Sequence, residues 1–262
     1  MMQLTCEQKD FFETFGFLVF RQLLTPDEVA TMLRESDEIM AEVRGGGAHD
    51  GRTWQAVQPF FERRPFLHSL IIDPRILGIA EGLLGPDIFL DVTEGNLHVG
   101  DTPWHGGGND CEILPHVKIG FYLEPLTKET GALRFIPGSH KGDFSERLNR
   151  ISQRIDDPDA RVWGVSLDEV PSYAVETTPG DVVAFKENTY HGAFGGHAGR
   201  HQHAINYFQK PKTEEQMALL RGYYEEMTYS FHPVVQNLEH EDQRMRALQA
   251  DMVEWGFETQ SV

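Results

Sequence analysis

Cysteine is almost missing from this chain. Cys6 and Cys111 are the two in 262 residues, too few for a disulfide framework or a four-cysteine zinc site, and that usage fits a reducing compartment. No run of about 18 apolar residues occurs, which argues against a membrane-spanning helix. The opening residues lack the basic and apolar regions of a secretory signal. A soluble, cytoplasmic protein is expected. Basic charge is also scarce. Lysine and arginine number 23 against 41 aspartates and glutamates, a net charge of −18, which speaks against nucleic acid or an anionic membrane as partner.

What is present reads as helices, then strands, then helices. Thr5 with Gln8 makes a capping box, and Phe11, Phe12 and Phe15 follow at near-helical spacing until Gly16. Residues 17–20 read as a short strand. Thr25, Pro26 and Glu28 start a stronger helix that runs to about Val43. Gly45 to Thr53 is a loop that could serve as a mobile edge or lid. Helical periodicity returns after Pro65 and from Pro74 to Leu84, closing at Gly85-Pro86.

From Ile88 the period becomes strand-like, with segments at 88–92, 117–123, 131–136, 181–185 and 202–208. A polar connection over 144–168 reads as loop with some helix and a minor strand at 161–165. Thr213 and Gln216 cap a helix over 214–227, and 238–253 reads as a further helix. The expectation is one α+β domain over 1–262: N-terminal helices at 5–85, a β-sandwich or jelly-roll core at 88–210, and C-terminal helices at 213–256.

Two stretches present histidines at strand or turn edges. Asn96 to Asp110 crosses Gly100 and Pro103 and delivers Trp104 and His105 onto the glycine run Gly106-Gly107-Gly108. Much later, Ala184 to Gly192 delivers Tyr190 and His191, with Arg200 nine residues further on. Two histidines on separate strands can hold a first-row metal, because neutral imidazole suits iron, copper, nickel and zinc alike. A nearby arginine can clamp a carboxylate through two parallel hydrogen bonds. Of the other histidines, His49, His68, His98, His232 and His240 read as surface or satisfied core residues. His116 and His197 crowd near the candidate motifs, and alternate faces of a strand account for His201 and His203.

In order along the chain, Asn96 to His105, Lys118 to Leu126, Thr130 to Pro137-Gly138-Ser139-His140, and Gly180-Asp181 to Tyr190-His191 resemble the phytanoyl-CoA dioxygenase family of iron(II)- and 2-oxoglutarate-dependent oxygenases. The resemblance spans about residues 7–210. It implies a double-stranded β-helix (a cupin-like jelly roll) in which His105 and His191 bind iron and Arg200 pairs with the distal carboxylate of 2-oxoglutarate. Lys118 and Tyr122 would line the same pocket, and His140 would be structural.

One departure stands out. The family pattern is His-x-Asp, which completes a two-histidine, one-carboxylate face on iron, whereas this chain has His105-Gly106-Gly107. Three explanations compete. A halide such as chloride takes the vacant position at Gly107, as in the related halogenases that carry glycine or alanine there. Alternatively the glycine run lets Asp110 swing in, or water serves, and the chain is an ordinary hydroxylase. In the third, the site is degenerate or engineered and binds cofactor with little turnover. A cupin-like zinc hydrolase would leave Arg200 and the Pro137–His140 block without a role.

The substrate is expected to be a small molecule, used together with 2-oxoglutarate and O2. Trp54, Phe60, Phe61, Trp104 and Trp163 are candidates for an aromatic wall. The acidic balance favours neutral or cationic substrates over polyanions, against which Arg63 and Arg64 could form a local basic pocket.

Overall fold

The computed structural model describes residues 2–108, 110–151, 160–228 and 230–262. Thr5 and Thr25 each accept a backbone N–H three residues on, while Gln8 and Glu28 reach back to the cap. These reciprocal caps start α1 (Cys6–Phe15) and α2 (Pro26–Val43), and Gly16 closes α1 in the left-handed region. Two further helices, α3 (Pro65–Leu70) and α4 (Ile76–Leu84), follow, and two short ones, α5 (Asp110–Ile113) and α6 (Gly142–Leu148), lie among the later strands.

The strands are β1 (Phe17–Phe20), β2 (Gln55–Val57), β3 (Ile88–His98), β4 (Thr102–His105), β5 (His116–Phe121), β6 (Leu133–Phe135), β7 (Arg161–Val162), β8 (Val165–Ser166), β9 (Tyr173–Val175), β10 (Val182–Phe185), β11 (His191–Ala193) and β12 (Arg200–Gln209). They form a six-stranded sheet in the order β1-β10-β5-β12-β3-β2, a four-stranded sheet β4-β11-β6-β9 and a separate β7-β8 hairpin. All pairings are antiparallel. This is the expected α+β jelly roll. Residues 152–159 of the polar connection lie outside the described residues.

Alternation along β5 and β12 divides the larger sheet into two faces. Ile119, Phe121, Ile205 and Tyr207 point to one side, where Phe12, Met32, Ile39, Leu67 and Leu77 of the N-terminal helices complete the main core. Burying each such side chain contributes about 1.5–3 kcal/mol. Lys118 and Asn206 are register partners on the opposite face, and Arg200 and Gln202 face His98 and Asn96 in the same way. The apolar phase therefore aims a polar row into the barrel.

On the C-terminal side, α7 (Glu214–Glu226) forms as expected, capped by Thr213. The single helix expected over 238–253 is instead three short ones, α8 (Val235–Leu238), α9 (Gln243–Ala247) and α10 (Ala250–Glu254). The cause is tertiary. Leu248 gives its carbonyl to the N–H of Leu90, and the buried Gln249 donates to the Leu90 carbonyl and accepts from Val234 and Asn237. Those bonds to β3 outcompete helix continuation. No helix among the described residues is long and apolar enough to cross a membrane.

Asp181 ties the edge strand to the strand that leads to His191. Its carboxylate, fully buried, accepts the backbone N–H groups of Gln22 (2.7 Å) and Thr178 (3.0 Å) and pairs with Arg21 at 2.8 Å. Burial opposes ionisation, yet these donors outweigh it and hold the carboxyl below its ordinary value. A depressed carboxyl stabilises the fold above the unfolded-state pKa, and that stabilisation disappears as pH falls through the folded one. Asp181→Asn is expected to lower the unfolding free energy by about 1.5–3 kcal/mol at neutral pH. Urea melts should show the gap from the parent chain narrowing in acid.

Candidate active site

The two histidines of the sequence analysis are cross-strand neighbours. His105 ends β4 and His191 begins β11, and the register sets them directly opposite one another. Their ring centroids are 4.0 Å apart with planes inclined at 56°. Each Nδ1 faces a carbonyl two residues back, Pro103 at 2.8 Å and Thr189 at 2.7 Å. A carbonyl can only accept, so the proton sits on Nδ1 and Nε2 keeps its lone pair. His105 reaches solvent at the rim but is ringed by protein, and desolvation lowers its pKa. His191 is buried, and burial followed by the charge of His105 pushes it well below the ordinary imidazole value. Both rings are neutral donors.

The Pro137–His140 block explains itself here. Ser139 accepts the Tyr190 N–H at 2.8 Å, and Ile136 donates its N–H to the Tyr190 carbonyl at 2.9 Å. The residue before His191 is thereby fixed. His140 stands on the Glu13 carbonyl at 3.1 Å, and Phe135 and Phe185 pack beside the His191 ring.

Among the described residues, no carboxylate joins the pair, and no group of three or more His, Cys, Asp and Glu could hold a metal ion. Gly107 has φ +85°, and a Cβ there would meet the Tyr190 hydroxyl at 2.6 Å; at Gly106 it would meet the Thr189 carbonyl at 2.9 Å. The Gly107 N–H donates to the Asn188 carbonyl at 2.9 Å. At 106 and 107 the turn thus lies against Thr189 and Tyr190, where a Cβ would meet atoms already in place. Asp110 opens the short helix α5 (Asp110–Ile113), and its carboxylate accepts the Tyr223 hydroxyl of α7.

Arg200, Tyr122 and Lys118 line one cavity of about 230 Å3 together with His105 and His191. The Arg200 guanidinium is buried and makes no ion pair among the described residues; it donates to the carbonyls of Gly131 and Gly100 and to Thr102. Burial without an anion lowers its pKa. Among the described residues, Arg200 Nε and Tyr122 Oη are buried without a hydrogen-bond partner. Lys118 is placed differently from a simple anion clamp, because its ammonium already contacts Glu187 at 2.7 Å and Glu94 at 2.9 Å. Burial opposes its charge, but the two carboxylates outweigh it and raise its pKa. Glu187 is likewise held at about 2 by Lys118 against the pull of burial.

A second cavity of about 370 Å3 also reaches both histidines and Gly107. It brings in Asp91, Glu94, Glu187, Asn188 and Asn206, none of which the sequence reading singled out. The strand alternation held the signal, since Glu94 and Asn206 share the phase of Asn96 and Lys118. The aromatic wall is mostly core: Phe60, Phe61 and Trp104 are fully buried, Trp163 lies on another surface, and Trp54 alone of the five lines the smaller cavity. His98 lines that cavity too, with its pKa pushed down to about 4 by burial and then by Arg200. Arg64 is neutralised by Glu38 and Glu42, and Arg63 donates to the Pro59 carbonyl, so no basic pocket forms.

The model of the phytanoyl-CoA dioxygenase (PhyH) family matches residues 12–204. The chain belongs to the phytanoyl-CoA dioxygenase family. Within this family of iron(II)- and 2-oxoglutarate-dependent oxygenases, it is similar to the ectoine dioxygenase of Bordetella parapertussis, 24% identical over 221 residues, 72% of this chain and 70% of that protein. It is also 23% identical over 214 residues to a probable alpha-ketoglutarate-dependent hypophosphite dioxygenase of Stutzerimonas stutzeri, covering 73% of each. Among solved structures, HygX of Streptomyces hygroscopicus with nickel and 2-oxoglutarate bound superposes with TM-score 0.65 at 23% identity, covering 80% of this chain and 89% of that one. These likenesses carry the dioxygenase-family jelly roll.

The packing of the turn makes a direct prediction. Gly107→Ala combines a left-handed backbone with a clash on Tyr190, whereas a Cβ on Gly108, at φ +79°, meets nothing. Chemical denaturation should show Gly107→Ala losing about 2–3 kcal/mol and Gly108→Ala about 1 kcal/mol.

Proposed function

We propose that the chain is an iron(II)- and 2-oxoglutarate-dependent oxidoreductase acting on an unactivated C–H bond of a small molecule, and that it is a halogenase. In this reading 1–262 works as a single oxygenase domain. His105 and His191 are the iron ligands, and chloride takes the carboxylate position beside Gly107.

The observation that carries the reading is the pairing of two neutral imidazoles with one adjacent buried cation that lacks an anion. Two Nε2 lone pairs suit iron, and Arg200 with the unpartnered Tyr122 hydroxyl suits a carboxylate of 2-oxoglutarate. Relatives support the cofactors: HygX has been solved with nickel and 2-oxoglutarate, and EctD of S. alaskensis with Fe.

Iron(II) with 2-oxoglutarate and O2 supplies the oxidising power for the C–H bond. The chain's own groups set the conditions. Arg200 binds and orients the co-substrate through its planar donors, and burial keeps the Tyr122 hydroxyl protonated so that it can donate. Lys118 stands beside the same cavity and offsets Glu94 and Glu187. Gly106 and Gly107 leave one face of the pair without a protein donor, and a missing carboxylate leaves a charge deficit that a halide answers.

Hydroxylation is the second reading, with water or Asp110 as the third donor. The dioxygenase names of the relatives favour it. For Asp110 it requires release from Tyr223.

The test is an anaerobic titration of the apo-protein with iron(II) and 2-oxoglutarate, following the visible metal-to-ligand band with and without chloride. A band that shifts with chloride in the parent and in Asp110→Ala is the expected result. A band indifferent to chloride moves the assignment to hydroxylation, and absence of any band removes the oxygenase reading. In the same assay Arg200→Ala should raise the 2-oxoglutarate concentration needed by about ten-fold or more, the size of a charge-assisted hydrogen bond.

A further inference from the structure

We infer that the larger cavity binds a small organic cation, a primary or secondary ammonium compound, as the substrate; this rests on the reading of His105 and His191 as the iron ligands. Four carboxylates line the cavity: Asp91, Glu94, Asp110 and Glu187. Lys118 answers Glu94 and Glu187. Asp91 is buried and accepts the Phe231 N–H at 2.6 Å, and burial drives it towards the neutral acid, so the negative charge in excess is that of Glu94, Glu187 and Asp110 over the single Lys118 ammonium.

Two buried carboxamides give an independent indication of what is missing. Asn206 is 2% exposed and Asn188 is 5% exposed. Their orientations follow from their partners. Asn206 Nδ2 donates to Glu94 at 2.6 Å, and Asn188 Nδ2 donates to the carbonyls of Gly108 and His140, each at 3.3 Å. Those partners can only accept, so in both residues the oxygen is the atom left over. Both Oδ1 atoms are buried without a hydrogen-bond partner among the described residues, on residues that line this cavity.

A buried acceptor without a donor costs about 1–3 kcal/mol. The cavity therefore requires N–H or O–H donors from its ligand, and the carboxylates require positive charge. A polyol would meet the first demand and leave the second. An anion would leave the second unmet and would face Glu94, Glu187 and Asp110 at close range. Val92, Phe208 and Phe231 supply apolar wall for the hydrocarbon part that must lie beside the histidine pair. Glu94 reaches both cavities; the smaller also holds the Arg200 guanidinium, which has no ion-pair partner among the described residues, and the larger adds Asp110, Glu187 and the two amide oxygens.

The test uses the full chain loaded anaerobically with iron(II) and 2-oxoglutarate, with the visible band recorded in each sample. Glucosamine is titrated against glucose, and putrescine against butanediol, by calorimetry. Each amine should bind at least about ten-fold more tightly than its alcohol, and Asn206→Leu and Glu94→Gln should each weaken the amine by a similar factor. Proton NMR of the parent protein gives a readout that needs no variant: the iron should broaden the signals of the bound amine. Amines and alcohols binding alike or not at all, or amine signals left sharp, would overturn the cation assignment while the band stands. Amine preference without a band would overturn the metal-site reading instead.

Discussion

The antiparallel pairing of β4 on β11 is the constraint on which the rest of the site depends. It sets His105 opposite His191, and the backbone carbonyls of Pro103 and Thr189 then fix both rings as Nδ1–H tautomers. Everything that holds residues 188–190 still also holds the pair. Ser139 and Ile136 grip Tyr190, and Asp181 anchors the strand before it. The glycines follow from the same packing. The turn after His105 presses onto Asn188, Thr189 and Tyr190, and a side chain at 106 or 107 would enter atoms already there. The missing carboxylate is thus part of how the two strands meet, and Tyr190 fills the space beside the backbone where one would begin.

Electrostatics around the pair are asymmetric and incomplete. Among the described residues, Arg200 and Asp91 are each buried without an ion-pair partner. Burial pushes the pKa of Arg200 down and that of Asp91 well up, since each loses hydration without gaining an opposite charge. Such groups destabilise a fold unless a ligand completes them. Lys118, by contrast, contacts both Glu94 and Glu187. A site arranged this way is stabilised when a ligand supplies the missing partners.

Much of this was legible along the chain. Reciprocal caps at Thr5–Gln8 and Thr25–Glu28 are local chemistry, so the first helices start where the sequence places them. Alternation over 117–123 and 202–208 is local too, and it separates core from barrel interior correctly. The two histidine presentations and Arg200 were visible because glycine and proline punctuate them. What was not legible depends on partners distant in sequence. The C-terminal helix breaks because Leu248 and Gln249 bond to β3. Asp110 is held by Tyr223, 113 residues on. The acidic cavity needs Asp91 and Glu94 from one strand, Asn206 from another and Glu187 from a turn, and β12 is irregular between Ile205 and Tyr207. No periodicity announces that meeting.

The central claim is a two-histidine site whose third position the protein leaves open. X-ray absorption at the iron edge of the loaded protein, with 2-oxoglutarate and chloride present and O2 excluded, tests it most directly. The account predicts scattering from two imidazoles together with a chlorine atom in the iron's coordination sphere, lost when chloride is withheld. A carboxylate oxygen in that place, with no chlorine at any chloride concentration, would contradict it.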